Sequence, residues 1–202
     1  MTDQLRAGPL RVGFVAGVMP DKWATRWAER ERRALQLVPV DEADQLAALR
    51  DGRVDLCFVR SQARTEDCHV IPLYAEDQVV VVPIDHLVSI TEAVRLVDLA
   101  EEQLLLDPES VPRWRETSTV TRLDWPPMTV PEAIELAATG AGVVVVPLSV
   151  ARLNHRKDLT YRPVTDLPSV PIGLAWRVEA TDPGIETFIG IVRGRTERSS
   201  RG

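Results

Sequence analysis

Asp41-Glu-Ala-Asp-Gln-Leu-Ala-Ala-Leu-Arg-Asp-Gly-Arg-Val-Asp-Leu-Cys-Phe-Val-Arg60 spells a helix, a stop and a strand in order. Asp41 or Asp44 is placed to cap the helix. Its expected inward residues are Ala43, Leu46, Ala47 and Leu49/Arg50. Gly52 supplies the left-handed position past the helix end. Val54 to Val59 is then a short apolar run. Such a run, fed by a crossover helix, belongs to a parallel sheet covered on both faces.

The same unit returns as Thr129-Val-Pro-Glu-Ala-Ile-Glu-Leu-Ala-Ala-Thr-Gly-Ala-Gly-Val-Val-Val-Val-Pro147. Two copies in one chain predict two α/β lobes, Rossmann-like in build, with a central cleft. Clefts of that kind are where small ligands bind.

Working outward, Leu10 to Ala16 reads as a first strand, and Pro20 stands near the first helical position. Trp23 and Trp27, four apart, read as a packing face rather than a ligand cage. Leu35 to Val40 is a second strand, so the first part of the chain reads βαβαβ. Val70 to Leu73 and Gln78 to Pro83 follow as extended segments, then one or two short helices between Ser89 and Ala100. Gln103 to Leu106 opens the second lobe, and Val120 to Leu123 reads as a weak strand. Ser149 is placed to cap a short helix, Leu159 to Val164 and Ile172 to Trp176 are strands, and Asp182 opens the last helix. With crossings expected at Val82 to Asp85 and Arg162 to Thr165, lobe I is 9–83 plus 165–194. Lobe II is 84–164, and 1–8 and 195–202 are tails.

A net charge of −6 provides no global field for nucleic acid or an anionic membrane. The basic stretch Arg193 to Gly202 reads as a polar tail. The first residues lack the apolar core of a signal peptide, and no window reaches the ~18 apolar residues of a membrane span. A cytoplasmic location is expected. Cys57 and Cys68 make neither a disulfide framework nor a metal-ligand spacing, so no metal or cofactor is expected.

Four stretches carry a family resemblance. They are Leu46-Ala-Ala-Leu-Arg-Asp-Gly-Arg-Val-Asp-Leu-Cys-Phe58, Pro72-Leu-Tyr-Ala-Glu-Asp-Gln-Val-Val-Val-Val-Pro-Ile-Asp-His-Leu87, Ala141-Gly-Val-Val-Val-Val-Pro147 and Ile172-Gly-Leu-Ala-Trp-Arg177. In this order the chain resembles the effector-binding (substrate-binding) domain of LysR-type transcriptional regulators. The resemblance covers about residues 9 to 194 and implies the type 2 periplasmic-binding-protein fold. It also implies a small-molecule effector and side-by-side dimers, here through a surface carrying Trp27 and Arg30 near Leu35 and Leu37.

The family's N-terminal helix-turn-helix has no counterpart before the first strand, so specific operator binding by this chain is not expected. The stretch from Pro112 to Pro127 is shorter than the family's usual helix and strand. The turn Gly17-Val18-Met19-Pro20 lacks the hydroxyl the family often places there, and Pro20 has no N–H to donate.

In open α/β sheets ligands sit beyond the carboxyl ends of the strands, where helix N-termini point. That rule selects Gly17, Val18 and Met19; Arg60 and Ser61; Asp107 through Ser110; and Met128, Thr129 and Val130. Thr129 and Glu132 spell a capping box, which reads as a structural cap unless its N–H groups stay open to a carboxylate. Arg60 can pair bidentately with an anion; its structural alternative is an ion pair with Glu66 or Asp67. On the anion reading, Arg60→Ala weakens binding about 10- to 100-fold with little loss of stability. Met19 and Met128 read as core fillers, or else as an adaptable apolar wall.

No catalytic constellation is present. His69, His86 and His155 stand apart, His86 reading as structural, and no Gly-x-Ser-x-Gly elbow or phosphate loop occurs. The leading expectation is a non-catalytic, self-associating sensor of a small organic molecule, an organic acid favoured. It pairs with itself or with a full-length regulator. The alternatives are a pure interaction module and a small enzyme on the same fold.

Overall fold

The structure is a computed structural model that describes residues 8–60 and 65–194. It is mixed α/β with two sheets. Strands β1 (Leu10–Phe14), β2 (Leu35–Pro39), β3 (Leu56–Arg60), β4 (Cys68–Glu76) and β8 (Val170–Arg177) form one sheet in the order β2-β1-β3-β8-β4. Strands β5 (Gln78–Pro83), β6 (Val144–Pro147) and β7 (Leu159–Pro163) form the other, in the order β6-β5-β7. The helices are α1 (Asp21–Arg30), α2 (Gln45–Arg50), α3 (Trp114–Thr117), α4 (Val130–Ala137), α5 (Leu148–Leu153) and α6 (Pro183–Val192).

Two compact units divide at Tyr74/Ala75 and Val170/Pro171. The boundaries read from the sequence, 83/84 and 164/165, put β5 with lobe I. The structure puts it in the second unit, because β5 pairs on both of its sides with β6 and β7.

In the first unit, β1 pairs in parallel with β2 and with β3. The fully buried strand β3 alternates between two cores, as a side-chain period of two requires. Leu56 and Phe58 join Trp23, Trp27 and Phe188 of α1 and α6 on one face. Cys57 and Val59 join Ala48 and Leu49 of α2 on the other. Each such large apolar side chain contributes roughly 1.5–3 kcal/mol by burial. Trp23 stacks on Phe58 with ring centroids 4.6 Å apart, and Phe188 meets Phe58 edge-on at 6.2 Å. The two tryptophans are therefore packing residues. Trp27 is only 2% exposed, so it cannot anchor a dimer surface as expected.

The first helical unit is out of phase with its sequence reading. Residues Glu42–Asp44 form a 3₁₀ turn, which advances three residues per turn rather than 3.6. The α-helix begins only at Gln45, so Ala48 and Leu49 are buried while Ala43 and Arg50 are exposed. Neither Asp41 nor Asp44 makes a side-chain cap bond. Gly52 does take φ +64°.

In the second unit, Val79 and Val81 face α4 and α5, while Val80 and Val82 face the turns around Leu96, Leu99 and Trp114. Here the strand of the second helix–strand copy, β6, runs antiparallel to β5, so the parallel-sheet expectation fails for this copy. Its parallel contact is the single bridge Leu104↔Val143, just before the strand begins. Val120 to Leu123 is not a strand. Its backbone is held by side chains: the Gln103 amide donates to the Thr121 carbonyl and accepts from the Leu123 N–H. Ser149 lies inside α5 and donates to Glu76 at 2.8 Å rather than capping. Asp182 stands at the start of α6 as read, and its side chain caps the helix, accepting from the Gly184 N–H at 2.8 Å.

Candidate functional site

The parallel strands of the first unit end on one edge of their sheet, and the loops beyond them hold the first group of candidates. After β1 the chain turns at Gly17, whose φ is +87°. Val18 is buried, and its N–H donates to the Val15 carbonyl at 3.2 Å. Met19 is 77% exposed. It is not a core filler: it presents a flexible apolar side chain to solvent where ligands of α/β sheets sit.

Arg60 ends β3 and is 3% exposed. Its Nη1 donates to the Glu42 carboxylate at 2.9 Å, and its Nη2 donates to the Ala16 carbonyl at 2.9 Å. The Gln45 side chain also grips its backbone, accepting from the Arg60 N–H and donating to the Arg60 carbonyl, each at 2.8 Å. The ion pair anticipated with Glu66 or Asp67 is instead with Glu42. Asp67 pairs with Arg50 at 2.6 Å, and that guanidinium holds the Asp67 carboxyl well below the usual range. Glu42 thus already takes a bond from the Nη1 of Arg60 that the anion reading reserved for a ligand. Burial also overturns the expectation that Arg60→Ala spares stability. Ser61 lies outside the described residues.

The sequence does not single out Glu42, because a carboxylate at a helix start ordinarily suits the helix dipole. The available signal was the strand itself. An arginine closing an otherwise apolar buried strand requires a carboxylate, and Asp41-Glu42 follow β2, two strands away across β1.

The second unit holds the remaining candidates. The Asp107 carboxylate accepts from the Glu109 N–H at 2.9 Å, and its carbonyl accepts from the Ser110 hydroxyl at 2.6 Å. These two residues are thus joined, closing the 3₁₀ turn Pro108–Ser110. At the start of α4, Glu132 accepts from the Thr129 N–H at 2.7 Å and from its hydroxyl at 2.8 Å. Those bonds hold the Glu132 carboxyl below its ordinary value. The box is closed, and Pro131 adds no donor. Met128 and Val130 are partly buried against the core built around α4 and β6.

Both cysteines are buried and free. Burial pushes the Cys57 thiol up to about 12 and raises Cys68 as well. His86 accepts from the Val88 N–H through Nδ1 and meets Glu102 through Nε2, both at 3.1 Å, so each ring nitrogen holds the local backbone or a neighbour. Among the described residues no group of three or more His, Cys, Asp or Glu side chains is gathered for a metal ion. No helix there is long and apolar enough to cross a membrane.

Comparison with known proteins gives a consistent picture. The family model described as the LysR substrate binding domain matches residues 3–197. The HTH-type transcriptional regulator CatR of Pseudomonas putida is 30% identical over 165 residues, covering 76% of this chain and 56% of that protein. A probable hydrogen peroxide-inducible genes activator of Mycobacterium avium is 35% identical over 109 residues, 52% of this chain and 35% of the other. The chain thus spans about half or less of these relatives' length. The BenM effector-binding domain with its effector benzoate shares the fold at TM-score 0.75 and 23% identity, covering 96% of this chain and 95% of that one. The reduced OxyR regulatory domain from Pseudomonas aeruginosa does so at TM-score 0.71 and 23% identity, covering 93% and 98%. The two-sheet architecture is accordingly that of the type 2 periplasmic-binding-protein-like effector domains. By the family match over nearly its whole length, this chain belongs to the LysR substrate-binding domains, the effector-binding part of LysR-type transcriptional regulators.

Proposed function

We propose that the chain works as a regulatory domain that binds a small organic molecule and catalyses nothing. The observation that carries this reading is the edge of the first unit's sheet. There an exposed Met19 and a glycine turn stand beside a buried arginine held through its Nη1 and Nη2. This arrangement suits binding, since it holds a shape and gathers no catalytic nucleophile–base pair among the described residues. The contacts proposed are Gly17, Val18, Met19, Arg60 and Ser61 from the first unit. Asp107, Ser110, Met128, Thr129 and Val130 are those from the second.

An organic acid is the first ligand class to test, because the BenM domain takes benzoate as its effector. A thermal-shift panel of benzoate and simple aliphatic mono- and dicarboxylates, followed by calorimetry of each hit, tests the reading. One or more acids should raise the melting temperature with saturable one-to-one binding. If none does, the interaction-module reading replaces it.

A peroxide response is the second reading, prompted by the mycobacterial relative. It is disfavoured by the cysteines. The chain has two; both are buried, and both thiols are shifted away from the reactive thiolate.

Self-association and a cytoplasmic place of work belong to the same proposal. Light scattering should give about twice the 22.5 kDa chain mass. The isolated chain, at net charge −6, should show no sequence-specific binding of duplex DNA, and any sequence-blind retention should vanish with modest salt.

A further inference from the structure

Three loops follow the parallel strands of the first unit, and one guanidinium ties them. Glu42 lies beyond β2, Ala16 beyond β1, and Arg60 ends β3. Arg60 donates at 2.9 Å to the first and at 2.9 Å to the second. The Gln45 side chain fixes the backbone of Arg60 to α2 from both sides. The guanidinium is thus held at one end and reaches across at the other. Its contact beyond β1 is the carbonyl of Ala16, immediately before Gly17, the residue that opens the turn to Met19.

Glu42 is about half exposed while Arg60 is almost wholly covered. The carboxylate therefore reaches down onto a buried cation that needs a counter-charge. Loss of that charge weakens the hold of the guanidinium on the Ala16 carbonyl.

We propose that Glu42, acting through Arg60, is a positioning residue for the Gly17–Met19 turn, setting ligand affinity without touching the ligand. This rests on the functional reading above for its second half only. Glu42 and Arg60 hold the turn whether or not a ligand is present. The ligand then meets a turn already in place, which lowers the ordering cost of binding.

The test is hydrogen exchange of the peptide containing Ala16 to Met19, together with benzoate calorimetry, on wild type, Glu42→Gln and Glu42→Asp. Glu42→Gln should speed exchange in that peptide about tenfold, a factor that corresponds to about 1.4 kcal/mol. Exchange in β8 and α6 should be unchanged. Benzoate affinity should fall about tenfold, and Glu42→Asp, which keeps the carboxylate, should recover part of both effects. A purely structural role would speed exchange throughout the unit, and that result overturns the proposal. So does an unchanged Ala16–Met19 peptide in Glu42→Gln. If wild type binds neither benzoate nor any other acid, the functional reading fails and the affinity half falls with it. Selective exchange in the turn would still support the positioning half.

Discussion

The two helix–glycine–strand copies share a glycine stop and differ in how their strands pair and end. In each, a short helix stops at a glycine with positive φ, Gly52 at +64° and Gly140 at +77°. In each, the following strand is apolar and buried. Yet β3 lies parallel to β1 and ends on the charged, buried Arg60. Its counterpart β6 lies antiparallel to β5 and ends on the partly buried Pro147. Local sequence fixes the helix, the stop and the strand. Which strand lies alongside is decided by the rest of the chain. The first copy finds β1, already parallel, whereas the second finds β5, central to its own sheet.

The largest effect should come from a glycine without a match in the first copy. A Cβ on Gly142 would overlap the backbone carbonyl of Gln103, beside the Leu104↔Val143 bridge. Gly142→Ala should cost about 3 kcal/mol in chemical denaturation. A loss under ~1 kcal/mol would mean that this edge of the second unit is not packed as described.

The strand ends come next. Arg60→Ala removes a buried side chain and its bonds to Glu42 and the Ala16 carbonyl, so about 2 kcal/mol should be lost. Pro147→Ala, at the matching place in the second copy, should stay within about 0.5 kcal/mol. Equal losses would erase the contrast drawn between the copies.

The glycine stops should behave as a pair. A Cβ at either Gly52 or Gly140 meets nothing within 4 Å, leaving only the left-handed backbone to resist it. Gly52→Ala and Gly140→Ala should each cost about 1 kcal/mol. A wide split between them would reveal packing at one site that the structure lacks.

The smallest effect is acid sensitivity at two helix starts. Arg33 and the Gly184 N–H hold the Asp182 carboxyl below its ordinary value, and Thr129 does the same for Glu132. A carboxyl depressed in the folded state stabilises it above the unfolded value, and the contribution is lost as pH falls through the folded one. Asp182→Asn and Glu132→Gln should each flatten the loss of stability below about pH 4. Asp182, backed by Arg33 at 2.7 Å, should show the larger change. A steeper acid limb in either variant would contradict the assignment.

Much of the fold was legible because it is written in periods and punctuation. The apolar run of β3, the Gly52 stop and the helix start at Asp182 could all be placed from residues alone. What escaped depended on distant partners. The 3₁₀ turn at Glu42–Asp44 shifted the α2 face, and the antiparallel pairing of β6 depends on β5, more than sixty residues away. At the candidate site, the importance of Arg60 was readable from its place at a strand end. Its partner was not, because Glu42 looked like a common helix-start acid. Met19 was misjudged because composition favours buried methionine, whereas the Gly17 turn faces it outward.

The most direct test of an effector-binding domain is a titration followed through backbone amide resonances, with benzoate and the aliphatic acids added to the folded chain. The account expects at least one acid to give saturable shifts, with those of Val18 and Met19 among the largest. Saturable shifts confined to residues remote from the Gly17–Met19 turn, or no saturable shift from any acid on an intact spectrum, would contradict it.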